Sequence, residues 1–517
     1  MDNRLARKTR VVLVVTQERI PVWLRNLISG LQEADDVDLG SVFVVADGAS
    51  VARPSLLFRA WKKLDNWLYL MNLPTSCRHT ENVTDLGVPY TCESIDDIDV
   101  QDSDVVAWMC PHRPPAGLIS KANIGFWSIA DACKPEFGLP QFIGRQPATE
   151  CAVIQYGKSA GEDRILATGA AATDKLFLSR GLVGLRAVAK SLFLSTLSRL
   201  QSHGDVGASG ASSGKTYAPA HAMPGLFKFV LGLMRLYGFY CIGFPSRFFY
   251  FDQWQMAYRI GGERLDQRDL IRLAPDHRGF WADPFVLERK GRKVLFFEEL
   301  SEESGRGHIS AMELLPDGRF DSSVRVLARP YHLSYPFLFE FGESVFMIPE
   351  SAEAKRVEVY RCTRFPFSWE PHTTLLKDVS AYDPTLVEHD GMWWMFLTIQ
   401  HGGNSPNDEL HLYFADSPFG DWTSHPLNPI CLDVRCARPA GQLFRENGRL
   451  YRPAQDCSGR YGRAIVIQEV RQMTTTAYEE LPAQRISAAW ADGAHATHTL
   501  NQSGGVTVYD CEVMRRK

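Results

Sequence analysis

The stretch Trp281–Glu299 reads WADPFVLERKGRKVLFFEE, and close variants of it return three more times along the chain. The variants are Tyr335–Ser351, YPFLFEFGESVFMIPES; Tyr382–Thr398, YDPTLVEHDGMWWMFLT; and Arg438–Asp456, RPAGQLFRENGRLYRPAQD. Each copy has an X-Pro step, an apolar strand, a turn with Gly and a second strand. The prolines recur after 52, 48 and 55 residues, a period that fits a propeller blade and is too long for a solenoid of short hairpins. With a weaker fifth copy at His498–Val513, residues 269–517 are predicted to form an all-β, five-bladed propeller.

The composition is that of a globular protein with more than one domain. The chain has 517 residues, 45% of them hydrophobic, which is enough for two or three cores. A net charge of −4 gives no general attraction to nucleic acid, so no nucleic-acid partner is predicted. The eleven cysteines form neither CxxC pairs nor zinc-ligand spacings, so we expect reduced thiols in the cytoplasm, without a metal ion or cofactor. The apolar run Val11–Val15 is too short for a signal peptide, and no stretch predicts a membrane-spanning helix.

Residues 1–200 alternate between strands and helices. Val11–Thr16 and Ser41–Ala46 predict buried strands, Val22–Glu33 between them has helical spacing, and Asp104–Met109 predicts a further strand. This order predicts an α/β, Rossmann-like domain, whose ligands would lie beyond the carboxyl ends of the strands. The sequence has no GxGxxG fingerprint of a dinucleotide site.

Within this domain, the segment Pro115–Tyr156 resembles the N-terminal domain of formyltransferases, with a strand, a Gly/Pro loop, a helix and a second strand. In that family an Asn and a His after the loop glycine move a proton. Here Gly125 is followed mostly by apolar residues, and Ala130 stands at the position of that His. A methyl group cannot shuttle a proton, and the polar candidates Ser128 and Asp131 are more typical of a loop. We therefore expect a degenerate relative that binds a partner or small molecule, or only supports the fold, and amino-sugar formylation is the disfavoured alternative.

Two segments separate this domain from the repeats. Residues 201–223 are rich in Gly, Ser and Ala and predict a flexible linker. Residues 224–268 predict a hinge, and its first part, Pro224–Phe251, is the most apolar stretch of the chain, interrupted only by basic residues such as Lys228 and Arg235. Such a segment is either a helix lying in a membrane interface, with its cations toward lipid phosphates, or a helix packed on a neighbouring domain. The first alternative predicts a peripheral position at the inner face of the membrane.

The residues before the four prolines occupy one position in successive blades. They are Asp283, Tyr335, Asp383 and Arg438, and the fifth blade offers His495 or His498. Because the innermost strands of a propeller start near its central axis, these side chains are predicted to converge on one polar pocket. The alternative is that an Asp before Pro only caps the turn into its strand.

The WADPF and YDP motifs resemble those of five-bladed glycoside hydrolases, the clan of arabinanases, xylosidases and invertases. The resemblance implies that Asp283 is the base or nucleophile, and that Asp383 tunes pKa values and holds the sugar. Those hydrolases take their acid from a Glu in a later blade, whereas the fourth repeat offers Arg438. The remaining candidates for the acid are Glu299 and Glu350, which end the second strands of their blades. Without a placed acid, ordinary two-carboxylate hydrolysis is not supported.

Arginine is abundant in the fourth repeat, and its planar fork matches phosphate oxygens. Arg438 and Arg452 are predicted to face the axis and to hold an anionic donor or acceptor, such as a nucleotide sugar, a sugar phosphate or a phospholipid-linked sugar. Arg445 and Arg449 fit ion pairs on outer strands better. The residues predicted to bind this substrate are Tyr335, Arg438, Arg452, His498 and Trp281.

A longer set of motifs runs through Phe280–Glu512 and includes FFEEL, HLSYPFLFE, ARPAGQLF and RLYRPAQDCSGRYG. Together they resemble the propeller that forms the N-terminal region of plant glucosamine inositolphosphorylceramide transferases and occurs in bacterial proteins beside a formyltransferase-like domain. The first hypothesis is therefore a cytoplasmic carbohydrate-active protein that transfers a glycosyl or related group in surface polysaccharide or glycolipid assembly. The second hypothesis is a non-catalytic glycan-binding module.

Overall fold

The computed structural model describes residues 7–16, 19–45, 55–70, 81–82, 88–95, 98–134, 136–203, 225–243, 249–276, 278–300, 305–401 and 403–517. Contacts divide the chain into two compact units, Met1–Phe239 and Tyr240–Lys517. The first unit contains helices and strands, and the described part of the second is built from strands and short turns apart from the end of one helix.

The first unit alternates strands and helices, as the hydrophobic pattern predicts. Its described elements are β1 (Thr9–Val15), β2 (Arg19–Ile20), α1 (Val22–Glu33), β3 (Val37–Val45), α2 (Leu56–Leu70), β4 (Glu81–Asn82), β5 (Tyr90–Glu93), β6 (Val105–Met109), α3 (Ala116–Ile119), β7 (Gly125–Ile129), α4 (Leu139–Ile143), β8 (Ala148–Gln155), β9 (Arg164–Ala172), α5 (Leu178–His203) and α6 (Leu226–Gly243). The last of these helices continues into the second unit.

Seven strands of the first unit form one mixed sheet in the order β5-β3-β1-β6-β7-β8-β9. The first five are parallel, and β8 runs antiparallel to both of its neighbours. The order of the parallel strands is that of a doubly wound α/β sheet. The central strand β1 is buried along Val11–Val15, as expected for a parallel strand covered on both faces. The formyltransferase-type assignment of this unit stays a prediction.

The end of β7 carries the position that the formyltransferase resemblance singles out. Ala130 is buried and packs with Ala152 and Ile154. The next residue, Asp131, has a φ of 58° and its carboxylate lies 2.5 Å from Lys134 Nζ. The Ala130 side chain thus makes an apolar contact and offers no group for proton transfer.

The hinge predicted at residues 224–268 is divided between the two units. α6 packs through Phe229 on α2 in the first unit, whereas Tyr250–Ile260 is a strand of the second unit. Of the linker predicted at residues 201–223, the first three residues end α5 and the remainder lies outside the described residues. Among the helices that the structure describes, none combines the length and the hydropathy needed to cross a bilayer.

The second unit is made of antiparallel sheets. Its strands are β10 (Tyr250–Ile260), β11 (Ile271–Leu273), β12 (Phe280–Arg289), β13 (Arg292–Leu300), β14 (Gly307–Glu313), β15 (Val324–Leu327), β16 (Ser334–Phe341), β17 (Ser344–Glu350), β18 (Arg356–Arg364), β19 (Ser368–Lys377), β20 (Ser380–His389), β21 (Met392–Gln400), β22 (Leu410–Ala415), β23 (Thr423–Ser424), β24 (Phe444–Glu446), β25 (Arg449–Asp456), β26 (Ala464–Met473), β27 (Tyr478–Ser487), β28 (Ala494–Ala496), β29 (Leu500–Ser503) and β30 (Val506–Arg516).

These strands form five sheets, each of which is one blade of a propeller. Blades 1 to 4 are β12–β15, β16–β19, β20–β23 and β24–β27, each a meander of four strands. Blade 5 joins β10 and β11 to β28, β29 and β30, so both ends of the propeller meet in one sheet. The propeller therefore begins at Tyr250, and the boundary predicted at residue 269 is too late. The sequence could not show this, because β10 precedes the first repeat and carries no X-Pro motif.

The inner strands of blades 1, 2 and 3 share one irregularity. In each, the pairing skips from the second residue before the proline to the residue after it, while the partner strand advances by only two residues. The extra residue makes a β-bulge, which re-aims the side chains at that point. Asp283, Tyr335 and Asp383 sit in these bulges with φ angles of 52°, 43° and 51°. The X-Pro motif thus marks a bulge repeated near the start of the inner strand in these three blades.

Candidate functional site

The bulges bring the residues before the prolines together where the five blades meet. The Tyr335 amide donates to Asp283 Oδ2 at 3.2 Å, which joins blade 2 to blade 1. Arg438 Nε donates to Asp383 Oδ2 at 2.7 Å, which joins blade 4 to blade 3. The axial position predicted from the repeats is therefore one contiguous cluster of buried polar side chains.

The first part of the cluster is an arginine held by two carboxylates. Arg438 contacts Asp383 through two of its nitrogens and donates to Glu350 Oε2 at 3.0 Å. Its third nitrogen donates to Asn407 Oδ1 at 3.1 Å, and Gln455 donates to Asp383 at 2.9 Å. Partners inside the protein thus already bind this guanidinium. Arg438 orients the acidic side chains of the cluster, which explains its position better than binding of a phosphate does.

The second part is a histidine between two aspartates. His498 Nδ1 lies 2.6 Å from Asp510 Oδ2, and His498 Nε2 lies 3.4 Å from Asp283 Oδ1. Thr499 donates its hydroxyl to Asp283 Oδ1 at 2.8 Å, and the indole of Trp254 lies 4.1 Å from the imidazole between ring centroids. Burial alone would lower the pKa of His498, but Asp510 and Asp283 raise it to about 9. The imidazole is therefore a cation at neutral pH.

Two acids of the cluster have raised pKa values. Burial raises the pKa of Asp283 to about 7, although the His498 cation opposes the rise, and Asp383 adds to it. Burial also raises the pKa of Glu350 well above its usual range, with Arg438 acting against the rise and Asp383 adding to it. Asp283 therefore exchanges its proton close to neutral pH, and burial shifts Glu350 toward its protonated form.

Tyr335 connects the cluster across blades. Its side chain is fully buried, its hydroxyl lies 2.8 Å from Thr385 Oγ1, and it accepts a hydrogen bond of 2.8 Å from the Gly441 amide. Burial raises the pKa of this phenol well above its usual range. Tyr335 was predicted to bind substrate, and the structure gives its hydroxyl two partners inside the protein.

Two aromatic rings border the cluster on its more open side. The Arg438 guanidinium lies over the rings of Tyr382 and Tyr461, at 5.1 and 5.3 Å from their centroids. Asp383 is 1% exposed and Arg438 7% exposed, whereas Tyr461 is 41% exposed. These two rings are the surfaces on which a sugar face would stack above the arginine.

Several cluster residues were missed from the sequence, namely Glu298, Asp510, Gln455 and Tyr461. Glu298 is buried, lies 3.0 Å from His332 Nε2, and acts electrostatically on Asp283. A signal was present, because acidic residues stand at or near the end of the second strand in three repeats, as Glu298 with Glu299, Glu350 and Asp456, and Asp510 lies within the second strand of the fifth. Of these acids, Glu298, Glu350 and Asp510 belong to the cluster, whereas Asp456 pairs with Arg485.

Glu299, a predicted acid, faces away from the cluster. It accepts hydrogen bonds from Trp281 at 3.2 Å and Ser310 at 2.5 Å, and lies 3.5 Å from His308. Burial alone would raise the pKa of Glu299, but these hydrogen bonds lower it to about 2, which makes it a poor proton donor at neutral pH. Trp281 packs its ring 5.4 Å from that of Phe297 in the blade.

Other predicted residues also lie apart from the cluster. Arg452 is fully buried but pairs with Glu480 of the outermost strand of blade 4, at 2.6 Å. His495 lies 3.0 Å from Glu512 in blade 5. Arg449 pairs with Glu469, as an outer-strand ion pair was expected to do. Of the predicted set, the structure thus brings together Asp283, Tyr335, Glu350, Asp383, Arg438 and His498.

Among the described residues, three groups have the spacing to hold a metal ion. They are Cys431 with Cys436 and Glu480, Asp252 with His495 and Glu512, and Asp283 with His498 and Asp510. In the last group the three side chains also pair with one another, with His498 2.6 Å from Asp510 and 3.4 Å from Asp283.

The comparisons with known proteins concern the propeller. Residues 273–502 match the family described as "Glucosamine inositolphosphorylceramide transferase 1, N-terminal". Glucosamine inositolphosphorylceramide transferase 1 of Oryza sativa subsp. japonica is 36% identical over 207 residues, which are 39% of this chain and 28% of the relative. The Arabidopsis thaliana protein of the same name is 34% identical over 206 residues, or 39% of this chain and 27% of the relative. The propeller thus resembles the N-terminal part of these transferases, which confirms the resemblance of its motifs, while the chain spans less than a third of their length.

Two solved structures that match part of this chain are glycoside hydrolases. Zg3597, a family 117 glycoside hydrolase of Zobellia galactanivorans, has a TM-score of 0.34 and 11% identity, and the match covers 50% of this chain and 90% of that one. An exo-β-1,3-galactanase of Clostridium thermocellum has a TM-score of 0.35 and 11% identity, covering 50% and 62%. The assignment of five blades rests on the strand pairing of this chain.

Proposed function

We propose that the propeller is a carbohydrate-active module that transfers a glycosyl or related group to or from a phosphate-containing sugar or lipid. In this proposal Asp283 is the base or nucleophile and Glu350 is the acid. Asp383 and Arg438 orient the reacting sugar, and the rings of Tyr382 and Tyr461 carry its apolar face. The relatives carry the name glucosamine inositolphosphorylceramide transferase, and we propose a substrate of that class for this chain.

One observation carries the proposal: two buried carboxyl groups with raised pKa values interact electrostatically with Asp383. Asp283 titrates near pH 7, so it can accept a proton or attack as a carboxylate, whereas burial raises the pKa of Glu350 well above its usual range, as an acid requires. For two carboxyl groups to act as general acid and general base, their environments must give them different pKa values. Glu350 fills the place of the acid that the fourth repeat does not provide.

The test is a transfer assay with the full-length protein. Nucleotide-activated hexosamines serve as donors, and inositolphosphorylceramide or phosphatidylinositol serves as acceptor, with labelled product separated from donor. Asp283→Asn and Glu350→Gln are each expected to lower the rate about 100-fold or more, because each removes a proton-transfer group. The matched control is Asp390→Asn, at an exposed turn of blade 3 with a φ of 52° that Asn also adopts. Full activity of Asp283→Asn would remove the catalytic assignment.

A second candidate is a non-catalytic glycan-binding module. The observation that favours it is that the polar groups of the cluster already have partners inside the protein. Asp283, Asp383 and His498 are almost completely buried and pair with each other or with neighbouring side chains. Calorimetry would then show sugar binding without turnover, and Tyr382→Ala or Tyr461→Ala would weaken that binding. If both variants bound the sugar as tightly as the wild type, the rings of Tyr382 and Tyr461 would not be the surface that binds it.

Three expectations from the sequence remain proposals. They are the cytoplasmic location that the cysteine pattern predicts, a role in surface polysaccharide or glycolipid assembly, and the formyltransferase-type interpretation of the first unit. A formyl-tetrahydrofolate assay on the full chain tests the last of these, and Ala130 predicts no formyl transfer.

A further inference from the structure

α2 and α6 pack side by side and leave an apolar face of each helix exposed. The ring of Phe229 on α6 lies 5.7 Å from Phe58 and 5.5 Å from Trp61 on α2, measured between centroids. A Cβ atom added at Gly232 would lie 2.0 Å from Ile143 Cγ2, so α6 also approaches α4 closely. The packed side of α6 is therefore fixed, and its opposite side is free of these contacts. The exposed sides of the two helices are named the α2/α6 surface.

The α2 half of this surface is an apolar stripe. Leu56, Leu57, Leu64, Trp67 and Leu68 recur at helical spacing on the side opposite the buried Phe58 and Asp65. Trp67 is 55% exposed and Leu56 is 77% exposed. An amphipathic helix of a globular protein normally turns such a stripe inward, whereas this one presents it outward.

The α6 half continues the pattern. Phe227 is 80% exposed and Met234 is 60% exposed, on the side opposite Phe229 and the buried Leu236. Two large apolar residues at i and i+7 lie on one face of a helix. The α2/α6 surface thus combines two helices that each expose aromatic and aliphatic side chains.

Among the described residues of α2 and α6, the exposed charges have one sign. Arg59 and Lys63 on α2 and Lys228 and Arg235 on α6 are all exposed. The one acid of α2 is Asp65, which is buried and accepts hydrogen bonds from the Ser179 amide and hydroxyl at the start of α5. The sequence of α6 contains no acidic residue. An exposed apolar face flanked only by cations is complementary to an anionic, apolar partner.

We propose that the α2/α6 surface docks this protein on a membrane that contains anionic phospholipids. The apolar stripes enter the boundary between headgroups and acyl chains, Trp67 lies at headgroup depth, and the four cations meet lipid phosphates. In this arrangement both helices lie in the plane of the interface, with their exposed apolar faces toward the acyl chains. The docking includes α2, which the apolar segment at residues 224–251 did not suggest, and it does not depend on catalysis by the propeller.

The test is flotation of the full-length protein with vesicles of phosphatidylcholine, with or without phosphatidylglycerol. The wild type is expected to float with the anionic vesicles and to be released by added salt. Lys63→Glu with Lys228→Glu is expected to weaken partitioning about fivefold for each reversed cation. Trp67→Ser with Phe227→Ser is expected to abolish flotation. The four substituted side chains are all exposed. Both double variants should therefore have the far-UV circular dichroism spectrum and the Tm of the wild type.

The controls lie on the outer strand of blade 1, where Val324 and Arg325 are exposed neighbours. Val324→Ser and Arg325→Glu reproduce the two kinds of change and should float as the wild type does. Absence of wild-type flotation, or flotation that neither double variant reduces, would overturn the proposal. So would self-association that Trp67→Ser removes in light scattering while vesicles bind nothing, because a second copy would then be the occupant.

Discussion

Asp283, Tyr335 and Asp383 hold left-handed backbone angles at the same position of three successive blades. A residue with a side chain pays about 1–3 kcal/mol for such a conformation, so the surrounding contacts must compensate. They do so directly: the Asp283 amide donates to Asp510 at 3.2 Å, and the Tyr335 amide donates to Asp283 at the same distance. The strained backbone angles therefore accompany the hydrogen bonds that orient these carboxylates toward the cluster. Capping of the turn alone does not explain the strained angles.

At the same scale, His498 makes the stability of the propeller depend on pH. Its pKa is about 9 in the folded chain and about 6.5 when unfolded, so the folded state binds the proton more tightly. This contribution is complete below about pH 6.5 and is lost as the pH rises to about 9. We expect the Tm to fall over that window, by on the order of 5 °C from this group. Differential scanning fluorimetry at closely spaced pH values measures the fall.

Two variants isolate His498 from other groups that titrate in this range, such as His332 and Asp283. His498→Gln should flatten the fall, and Asp510→Asn should move it to lower pH, because the carboxylate 2.6 Å from Nδ1 is removed. The control is His401→Gln, at a half-exposed side chain, which should keep the wild-type pH dependence. An unchanged pH dependence in both His498→Gln and Asp510→Asn would contradict a charged imidazole at this place.

At the scale of the element, the bulge explains which site residues the sequence could predict. The X-Pro step marks the bulged residue in blades 1 to 3 and the equivalent position in blade 4, so Asp283, Asp383 and Arg438 follow from the repeats alone. The two acids of FFEE are adjacent in β13 and so point to opposite faces, and the repeats alone could not show which Glu faces the axis. Glu298 does, since it acts on Asp283, whereas Glu299 bonds to Trp281 and Ser310. The sequence also could not place Arg452. A buried arginine can pair with an anion at the propeller axis or with a carboxylate on an outer strand, and the repeats do not distinguish the two.

The pairing of Arg452 with Glu480, away from the axis, can be tested by substitution. Arg452→Met leaves the Glu480 carboxylate without its guanidinium partner, and we expect a loss of about 3 kcal/mol in the free energy of unfolding. Adding Glu480→Leu should restore most of it, since a buried pair replaced by apolar side chains is often neutral. Urea unfolding of both variants measures the two values.

The control for this pair is Arg449→Met, which removes a more exposed guanidinium 3.4 Å from Glu469 in the same blade. We expect it to cost well under about 1 kcal/mol, as exposed ion pairs do. If Arg452→Met were as mild as this control and instead abolished binding of an anionic sugar, Arg452 would belong to the site, as the sequence indicated.

At the scale of the whole molecule, the repeats predicted the number of blades but not how the ring closes. The four X-Pro copies yield four sheets, and the weak fifth copy supplies only β29 and β30 of the fifth. Its other partner, β10, lies before the first copy, within a segment whose apolar composition indicated a hinge. In the structure β10 pairs with β30 from Tyr250↔Arg516 to Ile260↔Val506, so the first and last strands of the propeller lock each other in place.

This closure makes the start of the propeller a measurable boundary. A chain of residues 249–517 keeps β10 and should unfold cooperatively, whereas residues 269–517 lose it and leave the buried Met256 and Tyr258 out of their core. Without β10, the long edge of β30 is unpaired, so we expect aggregation or no cooperative transition by near-UV circular dichroism. Removing only residues 514–517 is the control, because it leaves the pairs from Gln253↔Val513 to Ile260↔Val506 and should lower the Tm by a few degrees at most. A cooperative transition of residues 269–517 at the Tm of the longer chain would show that the ring closes without its first strand.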